Sequence, residues 1–158
     1  MIRMTFSSLS SSFTVFSIAS SHVRITVSQS LHTTATVVVG YTGGQEPNPT
    51  YQNIKDATEA VLIEFDPSII SYEKLLLSWA DQHYPFNPPM KTQYKSAIWV
   101  KNDDERTTAL NVLDKLKEEK GGKEVYVDLE DVKPFYRAEE YHQDFLNKQR
   151  SSRSFTLY

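Results

Sequence analysis

Hydrophobic positions are scattered and irregular before residue 34 and become ordered after it. Ala35 to Val39 reads Ala-Thr-Val-Val-Val, an apolar and β-branched run that predicts a buried strand closed by a glycine-rich turn, Gly40 to Gly44. Gln45 to Tyr51 holds Pro47, Asn48 and Pro49 and cannot sustain a regular hydrogen-bond ladder, so it predicts a loop. Glu59 to Phe65 predicts a second strand, stopped by Asp66-Pro67. Ser71 stands where a helix needs an N-cap, and Leu75, Leu76 and Trp79 follow at helical spacing. That helix should run to about His83, where Pro85 breaks it, and Pro88 and Pro89 extend the break into a loop. Lys95 to Val100 predicts a third strand. Asp103 to Lys120 predicts a helix with apolar positions Ala109, Leu110, Val112, Leu113 and Leu116, ended by Gly121-Gly122. Val125-Tyr126-Val127 predicts a fourth strand, Ala138 to Asn147 a short helix, and Gln149 to Tyr158 a polar tail. The order from Ala35 is β-β-α-β-α-β, an α+β domain with its helices on one face of a sheet.

Composition divides the chain. Its 158 residues, 39% hydrophobic and 23% charged, suffice for one soluble domain with one core and are too few for two. No Asp or Glu precedes Glu46, and Arg3 and Arg24 are the only Lys or Arg residues before it. Residues 1 to 30 also hold ten serines. We therefore divide the chain into a Ser-rich segment 1–33, a domain 34–148 and a tail 149–158. The first segment fits an organellar transit peptide, a short secretory core at Phe13 to Ala19, or non-native coding sequence from a misplaced start or exon boundary. The sequence leaves the compartment open: cytoplasmic, or a plastid or mitochondrion if residues 1–30 are a transit peptide. A net charge of −3 supplies no field to attract nucleic acid or an anionic membrane. No apolar run approaches the length of a bilayer-spanning helix. Neither nucleic acid nor membrane is an expected partner.

Candidate chemistry is bounded first by what is missing. The chain has no cysteine, so disulfides, thiolate metal sites and a cysteine nucleophile are excluded as written. His22, His32, His83 and His142 form no pair at metal-ligand spacing, and no metal or other cofactor is expected. Gly40 to Gly44 lacks the Lys-Ser or Lys-Thr of a phosphate-binding loop, and no Gly-x-Ser-x-Gly elbow marks a hydrolase. Tyr41, Glu59 and Tyr94 remain, each at or beside the end of a predicted strand. A carboxyl buried among apolar groups favours its protonated form and can then donate to a substrate oxygen. The plainer alternative packs both tyrosines at strand ends and leaves Glu59 solvated at a sheet edge.

Six ordered blocks decide between these readings. They are Val39-Gly40-Tyr41-Thr42-Gly43-Gly44, Pro47-Asn48-Pro49-Thr50-Tyr51, Asp66-Pro67, Ile70 to Leu76, Thr92 to Ile98, and Ala138-Glu139-Glu140-Tyr141-His142-Gln143. Together they resemble the peptide methionine sulfoxide reductase A family in order and spacing, over roughly residues 34 to 148. The resemblance implies a two-layer α/β sandwich with a ferredoxin-like core. It implies reduction of the S epimer of methionine sulfoxide, free or in proteins, by a monomer that draws electrons from thioredoxin. It also implies that Glu59 is the proton donor and that Tyr41 and Tyr94 bind the sulfoxide oxygen.

The departures are equally specific. The family's Gly-Cys-Phe-Trp-Gly block, which carries the nucleophile, normally precedes the tyrosine matching Tyr41. Here the region reads Ile18-Ala19-Ser20-Ser21-His22-Val23. Ser20 falls near the nucleophile's place by counting, but its neighbours do not match and serine cannot accept the sulfoxide oxygen without forming a weak O–O bond. The resolving cysteines are absent too. Between His83 and Tyr94 the loop is shortened, with Pro89 at the place of the family's active-site aspartate. The chain is thus expected to be inactive as written, either an incomplete reductase or a non-catalytic sulfoxide-binding module. The missing block also bears the family's first strand and helix, so that strand and helix should be missing or replaced. Phe13 to Ala19 could fill the strand's slot, His22 to Thr34 is a poor helix, and the N-terminal part should be ill-ordered or loosely docked.

Overall fold

In the computed structural model, residues 11–17 and 35–143 are described. The strands are β1 Ser12–Ser17, β2 Ala35–Thr42, β3 Thr58–Phe65, β4 Ala97–Val100, β5 Asp128–Asp131 and β6 Tyr136–Arg137, and the helices are α1 Tyr72–Gln82 and α2 Asp103–Glu119. Single turns of 3-10 helix cover Thr92–Tyr94 and Glu140–His142. The strands form one sheet in the order β5-β4-β1-β3-β2-β6. All pairings are antiparallel except β4 with β5.

Alternation along β3 builds the core. Val61, Ile63 and Phe65 face one side of the sheet with Phe16 of β1 and Ile98 and Val100 of β4. Leu75, Leu76 and Trp79 of α1 and Ala109, Val112 and Leu116 of α2 cover them. Ala60 and Leu62 turn to the other side and pack with Val15, Ala97 and Trp99. Both helices are capped as polar sequence demands: Ser71 Oγ accepts from the Lys74 amide at 3.2 Å, and Asn102 Oδ1 from the Glu105 amide at 2.9 Å.

Over Ser12–Ser17 the expected loose docking does not hold, and β1 takes the strand slot anticipated for Phe13 to Ala19. It lies between β3 and β4, with Val15 opposite both Leu62 and Trp99. Phe16 is fully buried, with its ring against Tyr72 and Trp79. Complete burial of such a side chain contributes about 1.5–3 kcal/mol. Ser17, also fully buried, accepts from Trp79 Nε1 at its carbonyl (3.1 Å) and from the Ala97 amide at its hydroxyl (2.7 Å). The short strand is thus secured by apolar contacts on both faces and polar ties at its end. Residues 18–34, including the weak helical stretch, lie outside the described residues.

Three further boundaries move. β2 continues through Gly40 and Tyr41, because these pair with β6, and the turn starts at Gly43, whose φ of 85° suits glycine. The fourth predicted strand is displaced: Val125 to Val127 is not strand, and Tyr126 donates its amide to the Pro85 carbonyl at 2.8 Å. The strand at that edge is the acidic Asp128–Asp131, parallel to β4 and held by Lys95, which pairs with Asp128 and Glu130. In place of a helix from Ala138 there is the single 3-10 turn, and the chain after Gln143 lies outside the described residues.

Candidate active site

Register brings two of the three candidate residues together. Tyr41 lies directly opposite Glu59 in the antiparallel pair β2-β3, which puts both side chains on one face. It is the helix-covered face, since Glu59 continues the row Phe65, Ile63, Val61. Glu59 is the polar end of an apolar row and is only 8% exposed. Because β3 is flanked by β1 and β2, the alternative of a solvated carboxylate at a sheet edge does not hold.

The third candidate arrives on the 3-10 turn Thr92–Tyr94. Thr58 Oγ1 donates to the Thr92 carbonyl at 3.0 Å, and Gln93 Nε2 donates to Glu59 Oε1 at 2.7 Å. These bonds dock the turn on the start of β3 and leave Tyr94, 42% exposed, at the rim. Tyr94 and Tyr41 therefore differ in kind: one phenol meets solvent, the other is 2% exposed.

Tyr41 has its own partner. Its hydroxyl donates to Glu139 Oε2 at 2.8 Å, and Glu139 Oε1 accepts the Tyr51 amide at 3.0 Å. Burial, then the hydrogen bond and charge of Glu139, then the charge of Glu59, push the Tyr41 phenol well above its ordinary range. Partial burial works against ionisation of Glu139. Hydrogen bonds from backbone amides and from Tyr41, with His142 nearby, outweigh it and hold that carboxyl below the usual range. Gln143 fastens the same strand: its amide accepts from the Val39 N–H at 3.0 Å and donates to the Val39 and Ala138 carbonyls at 2.9 and 3.0 Å.

Gln93, Glu139 and Gln143 had no role assigned from sequence, although all three sit inside the recognised blocks. Tyr41 and Glu139 are 98 positions apart, and Val39 and Gln143 are 104 apart, so no local periodicity signals the contacts. β1 ends at Ser17 opposite Ala60, at the same end of the sheet as Tyr41 and Glu59. Ser20 lies outside the described residues. Among the described residues no group of three or more His, Asp or Glu is placed to hold a metal ion. The arrangement offers a shielded carboxyl, one buried and one exposed phenol, and no thiol.

The model of the peptide methionine sulfoxide reductase family matches residues 25–157. The chain is 39% identical over 121 residues to peptide methionine sulfoxide reductase MsrA of Sulfolobus acidocaldarius, covering 71% of this chain and 68% of that protein. Among solved structures, Mxr1 from Saccharomyces cerevisiae in reduced form superposes with a TM-score of 0.74 at 20% identity, over 94% of this chain and 91% of that one. Mxr1 in complex with Trx2 superposes at 0.57 with 17% identity, over 89% of each chain. The ordered blocks, the sheet they build and the span of these matches lead to one conclusion: this chain belongs to the peptide methionine sulfoxide reductase family.

Proposed function

We propose that this chain carries the sulfoxide-recognising part of a peptide-methionine (S)-S-oxide reductase without the thiol that performs the reduction. As it stands, it binds methionine-S-sulfoxide in peptides and does not turn it over. The observation that supports this most directly is the buried Glu59, held by Gln93 beside Tyr41, in a chain with no cysteine. A sulfoxide oxygen carries partial negative charge and accepts hydrogen bonds. Gln93 occupies one oxygen of the Glu59 carboxyl, and the other, when protonated, is the donor to that acceptor. The phenols of Tyr41 and Tyr94 bound the oxygen's place.

Reduction needs more. A thiolate must attack the sulfoxide sulfur and take up the oxygen as sulfenic acid, releasing the thioether. A second thiol then expels water to form a disulfide, and a dithiol partner reduces that disulfide. Thioredoxin is that partner in the complete reaction, a reading supported by the likeness to Mxr1 captured with Trx2. This chain presents no disulfide for it to reduce. The absence of the Gly-Cys-Phe-Trp-Gly block beside intact later blocks favours a second reading, in which a different transcript supplies the block in frame. Sequencing the 5′ end of the natural transcript decides between the two.

The binding reading is tested by calorimetry with a methionine-S-sulfoxide peptide and by a reduction assay with dithiothreitol. We expect saturable binding, weakened tenfold or more in Glu59→Ala, and no turnover above a protein-free blank. Absence of binding at millimolar peptide would overturn the proposal, and so would turnover.

A further inference from the structure

The shortened loop between His83 and Tyr94 carries Met90 at the surface. Met90 is 98% exposed, and Pro88, Pro89 and Lys91 beside it are exposed as well. It is the only methionine among the described residues; the other two, Met1 and Met4, lie outside them. With no cysteine in the chain, no thiol competes with its thioether for an oxidant. Hydrogen peroxide transfers one oxygen to such a sulfur. The O–O bond breaks, an S–O bond forms from a sulfur lone pair, and the second oxygen leaves as water. The sulfur is oxidised by two electrons and the peroxide reduced by two, and the product is methionine sulfoxide, polar and chiral at sulfur.

That product would form beside the site. Met90 stands three residues before Gln93, so their Cα atoms lie at most about 11 Å apart. Gln93 is the residue that bonds Glu59 at 2.7 Å, and Tyr94 next to it stands at the rim. The loop is fixed at both ends, by the Tyr126 amide on the Pro85 carbonyl at 2.8 Å and by the Tyr94 amide on the Lys91 carbonyl at 3.1 Å. Rotation about the N–Cα bond of Lys91 swings Met90 and leaves the second of these bonds intact. The unbranched methionine side chain adds three rotatable bonds of its own. Only oxidation gives the movement a driving force: a thioether is a weak acceptor, whereas a sulfoxide oxygen accepts fully from protonated Glu59.

We propose that Met90 is a peroxide modification site and that its S-sulfoxide occupies the Glu59–Tyr94 site of the same chain, closing it to peptides. This rests on the sulfoxide-binding reading above. Attachment sets the effective concentration of the ligand in the millimolar range, enough to fill a site too weak to join two copies at micromolar protein. Lacking a thiol, the chain does not reverse the change, and reopening falls to a separate S-specific reductase.

The test compares wild type and Met90→Leu before and after hydrogen peroxide, with a methionine peptide in the same tube as the oxidation standard. Mass spectrometry of the digested chain should show one added oxygen at Met90 as readily as in the standard, and a Met90 that stays reduced overturns the proposal. Titration with a methionine-S-sulfoxide peptide should then find about half the original sites in wild type, because peroxide makes both epimers at an exposed sulfur, and the full number in Met90→Leu. An unchanged number in oxidised wild type refutes the proposal, as does an equal loss in Met90→Leu. The loss should not depend on protein concentration; one that grows with concentration puts the ligand in a second copy and refutes occupation within the chain. Methionine methyl groups labelled with ¹³C give a view without peptide. The signal missing from Met90→Leu should split on oxidation into one line at the position of a free sulfoxide and one displaced from it, and Glu59→Ala should bring the second back to the first. If no peptide binds before oxidation, the functional reading fails on its own and the two lines still decide. A displaced line that depends on Glu59 supports occupation, and two lines at the free position refute it.

Discussion

Replacing His83 with glutamine removes a titrating group from the interior and should flatten the acid side of the stability profile. His83 is 7% exposed, stacks on Trp79 with ring centroids 4.6 Å apart, and pairs through Nε2 with the Ser96 hydroxyl. Burial pushes its pKa down from 6.5 to about 4. Between those values the unfolded chain takes up a proton that the folded chain refuses, so acid favours unfolding. The stabilisation is fully present above pH 6.5, falls as the pH drops and levels off near 4. At 1.36 kcal/mol per unit the loss is about 3 kcal/mol, a large share of the 5–15 kcal/mol that holds a typical domain. For a domain of this length it corresponds to a fall in Tm of roughly 6–12 °C. Asp56, Asp66, Glu130 and Glu139 have lowered pKa values, so their contribution is lost as the pH falls through the ordinary carboxylate range and below it, overlapping the histidine window only at its acid end. Urea melts of wild type and His83→Gln at intervals from pH 7 to 4.5 isolate the difference. Parallel profiles for the two proteins over that range would refute the reasoning.

Two further expectations concern the sheet. Phe16→Ala should cost about 3–5 kcal/mol in a neutral urea melt, since the ring is fully buried against Tyr72 and Trp79. A loss below 1 kcal/mol, on the order of a surface change, would show that β1 is not core. Gly40→Ala places a methyl group inside contact distance of the Tyr136 carbonyl oxygen and the Phe135 ring, so β6 must move. We expect a loss of about 1–3 kcal/mol and faster hydrogen exchange at Ala138, whose amide donates to Val39 at 3.0 Å, and unaltered exchange would contradict the packing.

What the sequence made legible follows from how local each signal is. α1 and α2 were readable because Ser71, the inward leucines and Gly121-Gly122 act within a few residues of one another. β3 was readable from its apolar run. β5 was not, because Asp-Leu-Glu-Asp is a poor strand by composition and is strand only through parallel pairing with β4 and the three cations, Lys95, Arg106 and Lys133, that pair with its carboxylates. The neighbouring Val125 to Val127 looks better suited by propensity, yet its backbone is engaged by the Pro85 loop. At the site, resemblance pointed to Tyr41, Glu59 and Tyr94. The bonds around them come from Gln93 to Glu59, from Tyr41 to Glu139 and from Gln143 to the nearby Val39, at separations no pattern along the chain encodes.

The central place of β1 has a consequence for the chain as it is made. Its end is tied to Trp79 and Ala97, at sequence separations of 62 and 80 residues. At about 5–20 residues per second of synthesis, the segment Phe13-Thr14-Val15-Phe16 waits roughly 4–16 s after emerging before the partner that completes its pairing exists. It carries no charge and no proline to deter contact with other nascent chains. Slower translation lengthens that exposure, so yield of folded protein should depend on elongation rate and on chaperones that shield the first strand until the third and fourth have been delivered.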